Sequence, residues 1–294
     1  MKELVIISGK GGTGKTSVAV SFAVLAERPV IADCDVDAAD LHLVLSPRIQ
    51  ERHEFHGGHV AVIRPNDCIA CGVCLEHCRF NAVKMNGKAP GAVVFSIDPV
   101  ACEGCGVCVR FCPEKAIDFP ERLCGEWMIS DTRCGPMVHA RLGIAAENSG
   151  KLVSIVRREA RRIAEEQNRP LILVDGPPGI GCPVIASVTG ASLVLVVTEP
   201  TVSGKHDLER VLSLARHFKI PAAVCVNKWD INPDMTAQIE QKALLDDARI
   251  VGRIPWDRSV TAAQLAQCSV VEYSKSPAAQ SIKEIWQNTL AGLQ

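Results

Sequence analysis

Short, almost uninterrupted apolar runs alternate along this chain with mixed segments of helical length. Leu4-Val5-Ile6-Ile7-Ser8 is the first such run, as expected of a strand buried on both faces of a parallel sheet. A glycine-rich loop follows, then an alanine- and valine-rich segment, 17–26, that predicts a helix. Arg28-Pro29 stops it, and Val30-Ile31-Ala32 begins the next strand. Further strands are predicted at 171–174, 193–197 and 222–226, separated by predicted helices at 154–167 and 205–217. In the tail, 281–293, Ile282, Ile285, Trp286, Leu290 and Leu293 share one helical face, which should dock on the chain's own core. The alternation predicts an α/β fold with a doubly wound, mostly parallel sheet.

Between residues 64 and 119 the texture changes. A repeat offset of 34 residues pairs Pro65 with Pro99, four cysteines with four cysteines, and Ala82-Val83 with Ala116-Ile117. Asn86-Gly87-Lys88 predicts a hairpin turn between the halves. This segment is expected to be a small α+β module inserted in a surface loop, dividing the larger domain into 1–63 and 120–294.

Composition narrows the class. The 294 residues are 47% hydrophobic and 22% charged, ordinary for a globular chain with a sizeable core. A net charge of −1 gives no bulk attraction to nucleic acid or anionic membranes, so neither is expected as a partner. Eight of the fourteen cysteines fall in metal-ligand spacing; Cys34, Cys124, Cys134, Cys182, Cys225 and Cys268 are scattered. That usage fits a reducing compartment rather than a disulfide framework. With no export signal at the N-terminus and no run of about 18 apolar residues, the expected location is cytoplasmic.

Gly9-Lys10-Gly11-Gly12-Thr13-Gly14-Lys15-Thr16 fits G-x4-G-K-[ST] between a strand and a helix, the setting a phosphate loop requires. Backbone N–H groups at Gly11, Gly12 and Gly14 can point into a phosphate nest, with Thr13 and Ser17 completing the contact. Lys15 should reach the β- and γ-phosphates, and Thr16 should ligate Mg²⁺. Asp175 closes the buried strand 171–174, where a carboxylate is costly unless it serves a cation; it is the second Mg²⁺ candidate.

The loop reads K-G-G-x-G-K-T and resembles the deviant phosphate loop of the MinD/ParA/Mrp ATPases and the nitrogenase iron protein. The resemblance implies ATP as the nucleotide. It also implies a homodimer in the ATP state, in which Lys10 reaches the partner's phosphates in the manner of an arginine finger. Ala32-Asp33-Cys34-Asp35-Val36-Asp37 resembles the first switch, which makes Asp35 the residue that orients the attacking water, with Asp33 and Asp37 as lesser candidates. Asp175-Gly176-Pro177-Pro178-Gly179 resembles the second switch. Asn227 and Pro255, in Asn227-Lys228 and Ile254-Pro255-Trp256-Asp257, stand where relatives contact the base.

Cys68-x2-Cys71-x2-Cys74-x3-Cys78 and Cys102-x2-Cys105-x2-Cys108-x3-Cys112 closely resemble a bacterial two-cluster ferredoxin. The resemblance implies crossed ligation: Cys68, Cys71, Cys74 and Cys112 on one [4Fe–4S] cluster, Cys102, Cys105, Cys108 and Cys78 on the other. Zinc would not explain three closely spaced cysteines plus a fourth, twice. Arg79 stands where Pro113 follows the second run, a local departure. The whole pattern resembles MinD-superfamily ATPases carrying an inserted ferredoxin; Cys134–Ala140 and Ser149–Val153 also look typical of that group.

Three features of relatives bear on function. No C-x-x-C follows Cys112, as an Mrp-type cluster carrier would have. Cys182, with Cys134, is either a small buried thiol or a ligand of a shared third cluster, as in the nitrogenase iron protein. The tail helix has a single basic residue, Lys283, and so lacks the charge of a membrane anchor. Arg157-Arg158 and Arg161-Arg162, interleaved with glutamates, read as a solvated or dimer-facing helix. The expected function is therefore an ATP-hydrolysing iron–sulfur protein that couples dimer switching to electron transfer, with a redox partner. The alternatives are a metallocofactor assembly factor acting on a client protein, and a redox-sensing positioning ATPase.

Overall fold

The computed structural model describes residues 1–86, 94–143 and 149–293; the expected turn residues Gly87 and Lys88 lie outside the described residues. Three strands precede the cysteine segment: β1 (Lys2–Ser8), β2 (Val30–Asp33) and β3 (Arg48–His59). At its start and within it are β4 (Val62–Ile63), β5 (Val83–Asn86), β6 (Val94–Ile97) and β7 (Ile117–Asp118). Then come β8 (Glu121–Thr132), β9 (Gly135–Leu142), β10 (Leu171–Pro178), β11 (Leu193–Thr198), β12 (Ala222–Asn227) and β13 (Arg249–Ile254).

The chain folds as two compact units. One gathers Met1–His53, Glu126–Arg141 and the residues from Ser149 onward; the other is built chiefly on Glu54–Gly125.

A nine-stranded sheet runs in the order β13-β12-β11-β1-β10-β2-β9-β8-β3. From β13 to β9 every recorded pairing is parallel. Only Arg133 and Cys134 separate β8 from β9, a connection short enough only for an antiparallel pair. Sequence reading missed β3, β8 and β9: β3 and β8 bury few positions among charged ones, and in β9 the buried run 136–140 contains Pro136 and His139, which do not read as a core strand.

The central strands are buried on both faces, with Leu4, Val5, Ile6, Val174, Val196 and Val224 at most 2% exposed. The tail helix, Pro277–Leu293, buries Ile282, Ile285, Trp286 and Leu293, and Trp286 meets Phe22 with ring centroids 4.8 Å apart. Its apolar face is therefore spent within the fold. Among the described residues no helix is long and apolar enough to cross a membrane.

The helix Ser149–Glu166 corrects the reading of its basic run. Arg157 is buried and its Nε meets Glu3 at 2.6 Å, while Arg161 reaches the other Glu3 oxygen at 2.6 Å. Arg157 also donates to the Ala186 and Thr189 carbonyls at 2.6 and 2.9 Å. Only Arg158 and Arg162 keep the expected exposed character, each paired with Glu159. Glu3, near the start of the central strand β1, holds the other two from 154 and 158 residues away.

His139 on β9 is buried and sits 2.8 Å from the Ser130 hydroxyl. Burial, with the nearby charges of His42 and Arg52, holds its pKa down at about 4, against 6.5 in an exposed imidazole; Glu126 opposes them. The unfolded chain thus binds a proton near pH 6.5 that the folded chain refuses until about pH 4. Stability contributed by neutral His139 is full above pH 6.5 and declines as the pH falls to 4, by about 3 kcal/mol at most. Urea unfolding of wild type and His139→Asn at pH 7.5 and 5 should show wild type losing more on acidification. Equal losses would rule the histidine out.

The second unit displays the 34-residue repeat as a strand exchange. The first strand of the leading half, β4, pairs antiparallel with the last strand of the trailing half, β7, and β5 pairs with β6. The Arg64 N–H donates to the Ala116 carbonyl at 2.8 Å, and its repeat mate Asp98 donates to Ala82 at the same distance. The short helices Val73–His77 and Val107–Phe111 each follow a left-handed glycine, Gly72 and Gly106, at φ 80° and 71°. Ile63, Val83, Phe95 and Ile117 form the core between them.

Candidate functional site

The loops leaving the C-terminal ends of β1, β2, β10, β11, β12 and β13 open at the same edge of the sheet, where open α/β folds place their ligands. The glycine loop leaves β1 there and enters the helix Lys15–Leu25, two residues before the expected start. Gly14 stands at the helix N-terminus in the left-handed region, at φ 88°, and a Cβ there would collide with the Asn227 amide. A glycine is required on both counts. Thr13 is buried, Thr16 and Ser17 are half-buried, and Gly11 and Gly12 are exposed at the mouth.

Lys15 is 6% exposed and its Nζ lies 2.6 Å from Asp175 Oδ1 and 3.3 Å from Asp35 Oδ2. Burial works against its charge, but Asp175 and then Asp35 outweigh burial and raise its pKa. Burial and the charge of Asp175 push Asp33 well up. Asp35 is raised too, chiefly by burial, with Lys15 opposing. Asp37 is exposed. The structure thus gathers Lys15, Asp33, Asp35 and Asp175 into one buried cluster with more acid than base. Thr13 Oγ1 and Asp33 Oδ2 are buried there without a hydrogen-bond partner among the described residues. A divalent cation with its water shell suits such an excess of carboxylate oxygen.

Lys10 is held by its own chain. Its Nζ lies 2.5 Å from Glu199 Oε1, 3.1 Å from Ser203 Oγ and 3.3 Å from Thr201 Oγ1. Lys228 shares Glu199, at 3.3 Å. Burial raises Glu199's pKa, but hydrogen bonds from the two lysines prevail and lower it. Sequence reading missed Glu199, Thr201 and Ser203. The available signal was Thr201, whose side chain accepts from Gly204 N at 2.9 Å and caps the helix Val202–His217.

Asn227 donates to the Thr13 carbonyl at 2.8 Å, tying the end of β12 to the glycine loop. Pro255 lies just after β13, where the neighbouring Trp256 N–H donates to Asp230 Oδ1 at 2.7 Å. Asp230 was not singled out from the sequence.

In the second unit Cys68, Cys71, Cys74 and Cys112 line one small, partly open pocket, bordered by Ile63, Phe95 and Ile117. Cys74 and Cys102 are buried; Cys71 and Cys105 are exposed. Burial pushes the Cys74 thiol up, and the adjacent Cys68 and Cys71 push it further; burial, Cys102 and Cys105 do the same to Cys108. Cys78 differs: burial opposes its thiolate, but the N–H groups of Val83, Phe80, Ala82 and Asn81 outweigh burial and lower its pKa. At the equivalent place in the repeat, Ala116 N donates to Cys112 Sγ at 3.3 Å. Among the described residues no three His, Cys, Asp or Glu side chains converge as ligands of a single metal ion.

Cys182 opens the helix Cys182–Val188 and is exposed, whereas Cys134 is half-buried against the main core. The reading of both as buried thiols fails for Cys182.

A family model described as the CobQ/CobB/MinD/ParA nucleotide binding domain matches residues 4–269. The chain is 32% identical over 292 residues to the uncharacterized protein MJ0578 of Methanocaldococcus jannaschii, covering 97% of this chain and 95% of that one. Among solved structures it is similar to the cell division ATPase MinD of Pyrococcus furiosus, with 17% identity and TM-score 0.58 over 99% of this chain and 98% of that one. It is similar as well to MinD of Pyrococcus horikoshii complexed with Mg-ADP, with the same identity, coverage and TM-score. These structural likenesses concern the fold.

Proposed function

The chain belongs to the CobQ/CobB/MinD/ParA nucleotide-binding domain family, and from that premise we propose that it hydrolyses a nucleoside triphosphate, ATP by that kinship, and couples turnover to electron transfer. Two [4Fe–4S] clusters would carry the electrons. The observation that carries this reading is the cavity shared by Cys68, Cys71, Cys74 and Cys112, in a chain whose Lys15 sits buried among carboxylates.

The donor set suits the clusters. Soft thiolates border an apolar space, and backbone N–H groups point at Cys78 and Cys112. Cys68, Cys71, Cys74 and Cys112 would hold one cluster, and Cys102, Cys105, Cys108 and Cys78 the other. Such clusters supply one-electron transfer at potentials tuned by hydrogen bonds to sulfur and by exposure. The inserted module would span 64–119.

At the nucleotide site, N–H groups of Gly11, Gly12, Thr13 and Gly14 would cradle the phosphates, with Ser17 on the first helical turn. Lys15 would turn from Asp175 to the β- and γ-phosphates. Thr16 and Asp175 would hold Mg²⁺, and Asp35, freed from Lys15, would orient the attacking water. Lys10 would leave Glu199 to reach the phosphates of a second copy, forming a homodimer. That exchange would move the segment after β11, and a redox partner or client would sense the change.

Protein isolated without oxygen should carry about eight irons per chain. Reductive titration with and without Mg-nucleotide should then shift a cluster potential by roughly 45–130 mV, the one-electron equivalent of a coupling of about 1–3 kcal/mol. Hydrolysis at one rate whatever the iron content and oxidation state, with unmoved potentials, would refute the coupling.

A further inference from the structure

The end of β12 and the turn that follows it are tied by hydrogen bonds both to the glycine loop and to the loop after β13. Asn227 donates to Thr13 O at 2.8 Å, and its Oδ1 accepts the Lys228 N–H at 3.0 Å. Lys228 adopts a left-handed backbone, at φ 54°. Its Nζ reaches back to the Gly12 carbonyl at 3.4 Å and to Glu199 at 3.3 Å. The lysine methylenes are thereby stretched from β12 to the glycine loop, an apolar strip on which a planar base can lie.

Two residues on, Asp230 stands in the short turn Trp229–Ile231. One oxygen accepts Trp256 N at 2.7 Å, which fixes the carboxylate against the loop after β13. The residue is exposed, and its other oxygen has no hydrogen-bond partner or ion pair among the described residues. A carboxylate anchored on one side and open on the other is an acceptor-only group with lone pairs to spare.

We propose that the nucleotide site reads guanine through Asp230, so that GTP is a ligand and substrate in its own right beside ATP. The Watson–Crick edge of guanine presents N1–H and the N2 amine side by side, two donors that match a carboxylate. Adenine presents a lone pair at N1 and no amine at C2, so it gains nothing from Asp230. A site built to accept such donors discriminates more strongly than an apolar slot does. This assignment rests on the reading above that a nucleoside triphosphate occupies the glycine loop.

Competition binding with Mg²⁺ and the β,γ-imido analogues of ATP, GTP and xanthosine triphosphate tests it, using wild type, Asp230→Ala and Asp230→Asn. The GTP analogue should bind wild type at least as tightly as the ATP analogue. Asp230→Ala should weaken the GTP analogue 10-fold or more while changing the ATP analogue less than about 3-fold. Asp230→Asn offers an amide N–H where xanthine carries a carbonyl, and should gain affinity for the xanthosine analogue, a result no misfolded variant gives. Binding of the ATP analogue alone to wild type overturns the base assignment and leaves the nucleotide reading standing. Equal weakening of both analogues in Asp230→Ala, with no xanthosine gain in Asp230→Asn, reduces Asp230 to a loop anchor and also overturns it. Failure of every analogue to bind wild type removes both readings.

Discussion

Lys15→Ala is expected to cost both turnover and stability. The ammonium lies among Asp33, Asp35 and Asp175, which are 0, 8 and 2% exposed. Deleting it leaves buried carboxylates without their cation, a change that typically costs about 3–5 kcal/mol. The pH dependence follows from the raised pKa values of Asp33 and Asp35. The folded state binds protons there that the unfolded state has released, so their burden appears as the pH rises above the ordinary carboxylate range and is relieved below it. Urea unfolding should therefore show the largest loss near pH 7, a smaller one in acid, and partial recovery with Mg²⁺ at neutral pH. Hydrolysis should fall by about 10²–10³ or more, as when one donor to the developing charge is removed. A variant as stable as wild type at pH 7, with or without Mg²⁺, would show that the lysine is not their counter-charge.

Iron content should reveal the ligand pairing when cysteines are removed two at a time. β4 pairs with β7, and the cavity that holds Cys68, Cys71 and Cys74 also holds Cys112. Cys68→Ala with Cys112→Ala should damage one cluster and leave about four irons per chain. Cys68→Ala with Cys78→Ala should damage both and leave close to none. Uncrossed ligation reverses the two results. Iron and sulfide analysis of both double variants, prepared without oxygen beside wild type, therefore separates the arrangements.

The Lys10–Glu199 pair shows why sequence gave only part of the nucleotide site. The lysine was recognisable because its role belongs to an eight-residue loop. Its present partner follows β11, far along the chain, and is only one glutamate among many. The same holds for Arg157: an arginine interleaved with glutamates looks solvated until Glu3, at the start of β1, is brought beneath it. Asp230 likewise has no local mark, since its value comes from the Trp256 N–H that fixes it.

Local physics fixed what the sequence decided alone. A short continuous apolar run bounded by turn signals suits a strand covered on both sides, a G-x4-G-K-T turn between strand and helix suits phosphate, and cysteines at C-x2-C-x2-C spacing suit a metal or cluster. Tertiary structure decided the rest. It added β9, β8 and β3 to the sheet, exchanged strands within the cysteine unit so that Cys112 joins Cys68, and set Glu199 against Lys10. Those outcomes depend on which buried charges and strand edges meet between segments that the sequence does not mark as partners, and such pairings leave no periodicity in the chain for a reader to find.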